Sequence, residues 1–147
     1  MPDIVICEPL RTPVGRFTGA LRDVPPETLA ATVIRALVDR TGIDPAAIDD
    51  VVLGQAGPNG EAPALGRIAA LDAGLGIAVP GYQVDRRCGS GLQAVLAAAG
   101  QIASGGADVV VAKVTDRSAC WYCSWSNWPV TELKKAGIWR ICLMISA

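Results

Sequence analysis

Val84-Asp85-Arg86-Arg87-Cys88-Gly89-Ser90-Gly91-Leu92-Gln93-Ala94-Val95 decides how this chain is read. The residues before it, Pro80 to Asp85, have the pattern of a strand, and from Gly89 onward the apolar side chains recur at helical spacing. A strand therefore turns directly into a helix, with a cysteine at the joint. A thiol at a helix N-terminus faces unpaired backbone N–H groups and the positive end of the helix dipole, and both favour its thiolate form. Cys88 is accordingly the candidate nucleophile. The same 147 residues contain no histidine, the commonest group for activating a cysteine. What catalysis requires beyond the thiol is either missing or supplied from elsewhere.

Downstream of this joint, Gly89–Ala103 reads as a helix in which Leu92, Val95, Leu96 and Ala99 are apolar around the circumference, so it is expected to be buried on several sides. Gly105-Gly106 ends it, and Asp108-Val109-Val110-Val111-Ala112 is a fully buried strand. Upstream, Asp3–Cys7 reads as the first strand, ended at Glu8-Pro9-Leu10-Arg11-Thr12-Pro13, where two prolines exclude regular pairing. Pro25-Pro26-Glu27-Thr28 opens a helix bearing Leu29, Val33, Leu37 and Val38 on one face, closed by Gly42. A second strand, Asp50–Gln55, delivers the chain to a glycine-rich loop, and Ala64–Ala73 is a further helix. Strands alternating with helices imply an α/β layer structure with a mostly parallel sheet and right-handed crossovers.

One domain of ordinary size accounts for this length. Hydrophobic residues make up 51% of the chain and aromatic ones only 5%, a balance suited to small-residue packing of helices on a sheet. The net charge of −1 gives no electrostatic case for nucleic acid or an anionic membrane as partner. Met1-Pro2-Asp3-Ile4-Val5 lacks the basic and apolar regions of a secretory signal, and runs such as Val109–Ala112 are far short of the roughly 20 residues that cross a bilayer. A soluble, cytoplasmic protein is expected. Five cysteines (Cys7, Cys88, Cys120, Cys123, Cys142) leave one unpaired in any internal disulfide scheme and do not form the two close pairs of a zinc ribbon. They are read as reduced thiols, with no metal site.

With Cys88 as its centre, the chain resembles the N-terminal part of the thiolase family of acetyl-CoA acetyltransferases over about residues 3–112. The residues that carry the resemblance are Arg11-Thr12-Pro13-Val14-Gly15-Arg16-Phe17, then Gly54-Gln55 with Asn59-Gly60-Glu61-Ala62-Pro63-Ala64, and Cys88-Gly89-Ser90-Gly91-Leu92-Gln93-Ala94-Val95. The resemblance implies a thiolase-like N-terminal half-domain, truncated, with a mostly parallel sheet and helices on both faces. It implies that Cys88 accepts an acyl group from acyl-CoA as a thioester. A second acyl-CoA, deprotonated at its α-carbon, then condenses with that group to give a 3-ketoacyl-CoA, and the reverse course is thiolysis. Coenzyme A thioesters are implied as substrates, with no resident cofactor, a setting in fatty acid metabolism, and a homo-oligomer for the full-length family.

Thiolases also use a histidine to activate the nucleophile, a second cysteine for proton handling, and an asparagine–histidine oxyanion site, all from a C-terminal half. None has a counterpart here. Most of the family's CoA-binding surface comes from a loop domain that is also missing, so no CoA-binding residue is assigned. After Val109-Val110-Val111-Ala112 the family expects a glycine pair, an acidic residue and Ser-Met-Ser, whereas this chain reads Lys113-Val114-Thr115-Asp116-Arg117-Ser118. All four tryptophans (Trp121, Trp125, Trp128, Trp139) fall beyond that point. Residues 1–112 are therefore read as a partial thiolase-like domain and 113–147 as an aberrant tail, frameshifted or fused. Thr131–Ser146 in that tail is read as a short amphipathic helix with an apolar end. The expected function is acyl-CoA C-acyltransferase, with a chain incomplete and inactive alone; the alternative is a non-catalytic remnant or interaction fragment.

A lone cysteine in an alanine-rich helix is more often structural, but the helix start and the surrounding resemblance favour the nucleophile. Gly89-x-Gly91-x-x-Ala94 fits a dinucleotide fingerprint, yet that fold needs an acid at the end of the next strand, where Ala112 stands, with Asp108 at its start. Cys120-x-x-Cys123 lacks the strand–helix setting of a redox pair. Arg86-Arg87 suits either a CoA phosphate or solvent, Arg11 and Arg16 are expected to hold the loop near the site, and Asn59 and Glu61 to lie near a subunit contact. Gly89 and Gly91 are expected where close approach leaves no room for a Cβ.

Overall fold

Strands and helices alternate as the sequence predicts in the computed structural model, which describes residues 3–13, 15, 18–58, 60–114 and 141–145. In chain order these residues form β1 (Val5–Leu10), α1 (Pro26–Thr41), a 3₁₀ turn (Pro45–Ala47) and β2 (Asp50–Gly54). They continue with α2 (Leu65–Asp72), β3 (Gly81–Val84), a 3₁₀ turn (Arg87–Gly89), α3 (Ser90–Ala103), β4 (Val109–Val114) and β5 (Ile141–Ile145). All these strands share one sheet in the order β1-β5-β4-β2-β3, and each pairing is parallel.

Parallel strands need crossover connections, and the helices that make them must cover both faces of the sheet. Side-chain alternation along the strands sorts the two faces. Val51 and Leu53 of β2 and Val109 and Val111 of β4 pack with Ile34, Leu37, Leu65 and Ala69 of α1 and α2. Val52, Val110 and Ala112 point the other way, onto Ala94, Ala98 and Ile102 of α3. The helix α1 starts with Pro26 in its first turn and stops where Gly42 turns left-handed at φ 62°, its N–H bonded to the Val38 carbonyl at 2.8 Å. Small residues set the helix–sheet spacing elsewhere: a Cβ at Gly66 of α2 would meet Tyr82 N at 2.7 Å, and one at Gly81 would meet Arg67 N at 2.7 Å. Two further bonds tie helix to sheet. Gln83 Oε1 accepts from Leu65 N–H at the start of α2 (3.1 Å), and Gln101 Nε2 of α3 donates to Asp50 Oδ2 of β2 (2.7 Å).

Four sequence expectations change at this level. The first strand does not stop at Glu8-Pro9; it runs to Leu10, with the register irregular between Cys7 and Leu10 and Glu8 at φ 46°. Proline is tolerated there because β1 is an edge strand and the irregularity leaves Pro9 outside the ladder. Nor does β4 end at Ala112: Lys113 stays in register with Leu53 and Ile145, so the expected boundary between domain and tail falls inside a strand. The apolar end of the expected helix 131–146 is instead strand β5, inserted between β1 and β4; residues 131–140 lie outside the described residues. Finally, α3 is buried on one side rather than several. Its core-facing residues are Ser90, Gly91, Ala94, Ala98 and Ile102, while Leu92 and Leu96 are 67% and 54% exposed.

Candidate functional site

β3 delivers the chain to the carboxyl edge of the sheet, the edge at which open α/β sheets place their ligands. Asp85 and Arg86 leave the strand, Arg87–Gly89 form the 3₁₀ turn, and α3 begins at Ser90. Cys88 sits in this turn with its thiol exposed. Beside it, β2 ends at Gly54, and the Gln55 N–H continues the pairing to the Val84 carbonyl at 3.0 Å.

The turn is closed by its own side chains. Asp85 Oδ1 accepts from the Arg87 backbone N–H (2.9 Å), and Asp85 Oδ2 pairs with Arg87 Nη1 (2.7 Å). Such a loop, in which Asp bonds the backbone two residues on, stands in for a backbone turn. The same Nη1 donates to the Ala56 carbonyl at 2.8 Å, linking the Cys88 turn to the loop after β2. Arg86 Nη1 donates to Gln93 Oε1 one helical turn further along α3. Between these surface bonds lies Ser90, which is buried: its Oγ accepts from Arg86 N–H at 2.8 Å and donates to the Arg87 carbonyl at 2.7 Å. Arg87 itself is held at φ 50°, in the left-handed region, which costs a residue with a Cβ about 1–2 kcal/mol.

Within the turn, four backbone N–H groups flanking the thiol are already engaged. The Gly89 N–H bonds to the Arg86 carbonyl and the Ser90 N–H to the Arg87 carbonyl, while the Arg86 and Arg87 N–H groups go to Ser90 and Asp85. The thiol thus rides on a closed hydrogen-bonded turn. The close approach expected at Gly89 is elsewhere: a Cβ there would find only the Arg86 side chain, at 3.8 Å. It is Gly54 that has no room, since its Cβ would meet Gly91 N at 2.7 Å and the Ser90 carbonyl closer still. Gly54 lets the start of α3 lie directly on β2.

Other predicted positions are dispersed. Arg11 donates to its neighbour's carbonyl, Thr12 O, at 3.2 Å, and Glu61 is exposed. Arg16, Asn59, Cys120 and Cys123 lie outside the described residues. Asp108 precedes β4 and so stands at the edge of the parallel sheet opposite to Cys88. Among the described residues, no group of three or more His, Cys, Asp or Glu side chains is arranged to hold a metal ion. No helix among them is long and apolar enough to cross a membrane.

Sequence reasoning missed Ser90, Asp85, Gly54 and Lys113 as contributors. A serine in the first turn of a helix can bond back to the preceding backbone, as Ser90 does, and that much is readable from the sequence. Lys113 had no local signal: it is 1% exposed, its Nζ has no hydrogen-bond partner among the described residues, and burial pulls its pKa from 10.5 down to about 7.

Comparison with known proteins bears on this geometry. The model of the thiolase N-terminal domain matches residues 4–115. The acetyl-CoA acetyltransferase of Cupriavidus necator is 42% identical over 112 residues, 76% of this chain and 28% of that protein. That of Pseudomonas aeruginosa is 43% identical over the same shares. The crystal structure of the Bacillus anthracis acetyl-CoA acetyltransferase superposes with a TM-score of 0.72 at 37% identity, covering 86% of this chain and 32% of that one. The chain thus spans less than a third of the length of the relatives it matches.

Proposed function

The chain belongs to the thiolase family through its N-terminal domain, and from that premise we propose that Cys88 is the acyl acceptor of an acyl-CoA C-acyltransferase. The observation that carries this reading is an exposed cysteine on a braced strand-to-helix turn, at the ligand-binding edge of the sheet, within the matched region. The Cys88 sulfur adds to the thioester carbonyl of an acyl-CoA. The tetrahedral adduct expels the coenzyme A thiolate, which leaves the acyl group on Cys88 as a new thioester. Condensation with a second acyl-CoA gives a 3-ketoacyl-CoA, and thiolysis by free coenzyme A is the reverse.

Coenzyme A thioesters are reactants in this scheme rather than resident cofactors. The proposed setting is fatty acid metabolism in the cytoplasm, with a homo-oligomer as the working form. Residues 113–147 are proposed to be a tail of different origin from 1–112. The second reading, an acceptor or remnant without turnover, is favoured by one observation: no histidine occurs in the 147 residues. General acid–base help of the kind a histidine gives is worth roughly 10²–10⁴-fold in rate. One experiment separates the readings. The chain is incubated with acetyl-CoA, and its mass is followed in parallel with acetoacetyl-CoA cleavage. An acetyl increment that Cys88→Ala abolishes supports the acceptor; turnover supports the complete reaction, and labelling without turnover supports the remnant. No increment on the wild-type chain refutes the proposal.

A further inference from the structure

The bonds of Ser90 have a consequence for the reaction itself. Its hydroxyl has one proton and uses it on the Arg87 carbonyl; its lone pair takes the Arg86 N–H. With its proton committed to the Arg87 carbonyl and its side chain buried, Ser90 is not placed to act on an acyl group itself. It grips, however, both residues that immediately precede Cys88. One of these, Arg87, is the left-handed residue whose backbone angles set the direction in which Cys88 leaves the turn.

Ser90 is itself fixed from below. Its carbonyl and the Gly91 N–H lie against Gly54 at contact distances that only a glycine permits, so the hydroxyl is referenced to β2 and not merely to its own helix. The Asp85–Arg87–Ala56 bonds reach the same turn from solvent, where Arg87 is largely exposed and the ion pair contributes little. The buried hydroxyl is the part of the brace that water cannot replace.

We propose that Ser90 is the positioning residue of acyl transfer: it holds the Arg86-Arg87 link, through two backbone bonds, in the one conformation that aims the Cys88 sulfur at the thioester. The inference rests on the acyl-acceptor reading of Cys88. Misplacement of a reacting atom by about 1 Å is enough to lower a rate by about 10²-fold. Loss of the hydroxyl releases two of the bonds that define the turn.

The test uses the full chain as wild type, Ser90→Ala and Ser90→Thr, each confirmed folded by circular dichroism at the assay temperature. Two reagents are applied: acetyl-CoA, whose transfer needs an aimed sulfur, and iodoacetamide, a small electrophile that approaches from any direction. Ser90→Ala is expected to acetylate at Cys88 about tenfold to a hundredfold more slowly, while its alkylation stays within about twofold of wild type. Ser90→Thr, which keeps the hydroxyl, is expected to recover most of the acetylation rate. Acetylation of Ser90→Ala at the wild-type rate overturns the proposal. So does a parallel fall of acetylation and alkylation, which a merely structural loss would give. If wild type takes no acetyl group, the acyl-acceptor reading fails instead. Ser90's hold on the turn is then read from amide hydrogen exchange at Arg86, and an exchange rate unchanged in Ser90→Ala overturns that as well.

Discussion

Replacing Lys113 by methionine should stabilise the protein at neutral pH and abolish a specific pH dependence. Lys113 lies in β4 between Leu53 and Ile145, shares by alternation the face that Val109 and Val111 turn toward α1 and α2, and is 1% exposed. Among the described residues no acceptor meets its Nζ, and burial lowers its pKa from 10.5 to about 7. A lysine whose folded pKa is depressed binds its proton more readily in the unfolded chain, so stability rises with pH through the interval between the two values and levels off below the lower one. From pH 7 to pH 9 the wild type should gain about 2 kcal/mol from this group, at a limiting slope of about 1.4 kcal/mol per pH unit. Burial raises the pKa of Cys7, helped by the charge of Glu8, and of Tyr82, helped by Asp50; both oppose the gain at the alkaline end. They are present in Lys113→Met as well, so the difference between the two proteins isolates the lysine. Urea unfolding at several pH values should give Lys113→Met the higher stability at pH 7, with a gap that shrinks by about 2 kcal/mol by pH 9. Parallel pH profiles for the two proteins would refute the burial of an unpaired amine at this position.

Gly54→Ala should push the start of α3 away from β2, because the atoms its Cβ would meet are backbone and cannot rotate aside. A loss of about 1–3 kcal/mol in thermal or urea unfolding is expected, against less than about 0.5 for Gly57→Ala, whose added Cβ meets nothing within 4 Å; equal effects of the two would contradict the contact. The pair Leu92→Lys and Leu96→Lys should reduce self-association of the chain. The wild type presents these side chains on α3 together with a 55% exposed Ile6 on β1, a surface expected to drive oligomer formation, and sedimentation velocity reads the change. A monodisperse wild-type monomer would remove the basis for that expectation.

The layer order of this fold was legible because its signals are local. Valine-rich strands, Pro26 at a helix start and Gly42 at a helix end each specify backbone without reference to distant residues. Cys88 was legible for the same reason, since a strand-to-helix joint is written in consecutive residues. The misreadings share another cause. Pro9 argues against a strand unless the strand is at an edge, and edge position is a property of the whole sheet. Leu92 and Leu96 look like core because periodicity reports apolar faces and not what covers them. Lys113 looks like a residue past the end of its strand, yet its backbone bonds like any strand residue while its side chain is carried into the core.

Gly54 and Ser90 extend the same point to the site. Neither touches the thiol; one removes a Cβ and the other adds a hydroxyl, and both act on the backbone that carries Cys88. They are 36 positions apart in sequence and meet only because β2 and β3 pair in parallel register, with Gly54 opposite Val84 at the mouth of the turn. Shifting that register by one residue would turn every β3 side chain to the other face and set a residue with a Cβ against the start of α3. The direction in which Cys88 leaves its turn is therefore a property of the strand pairing as much as of the motif around the cysteine. The same short motif grafted onto a joint without a glycine beneath it should present a cysteine without presenting it in this direction.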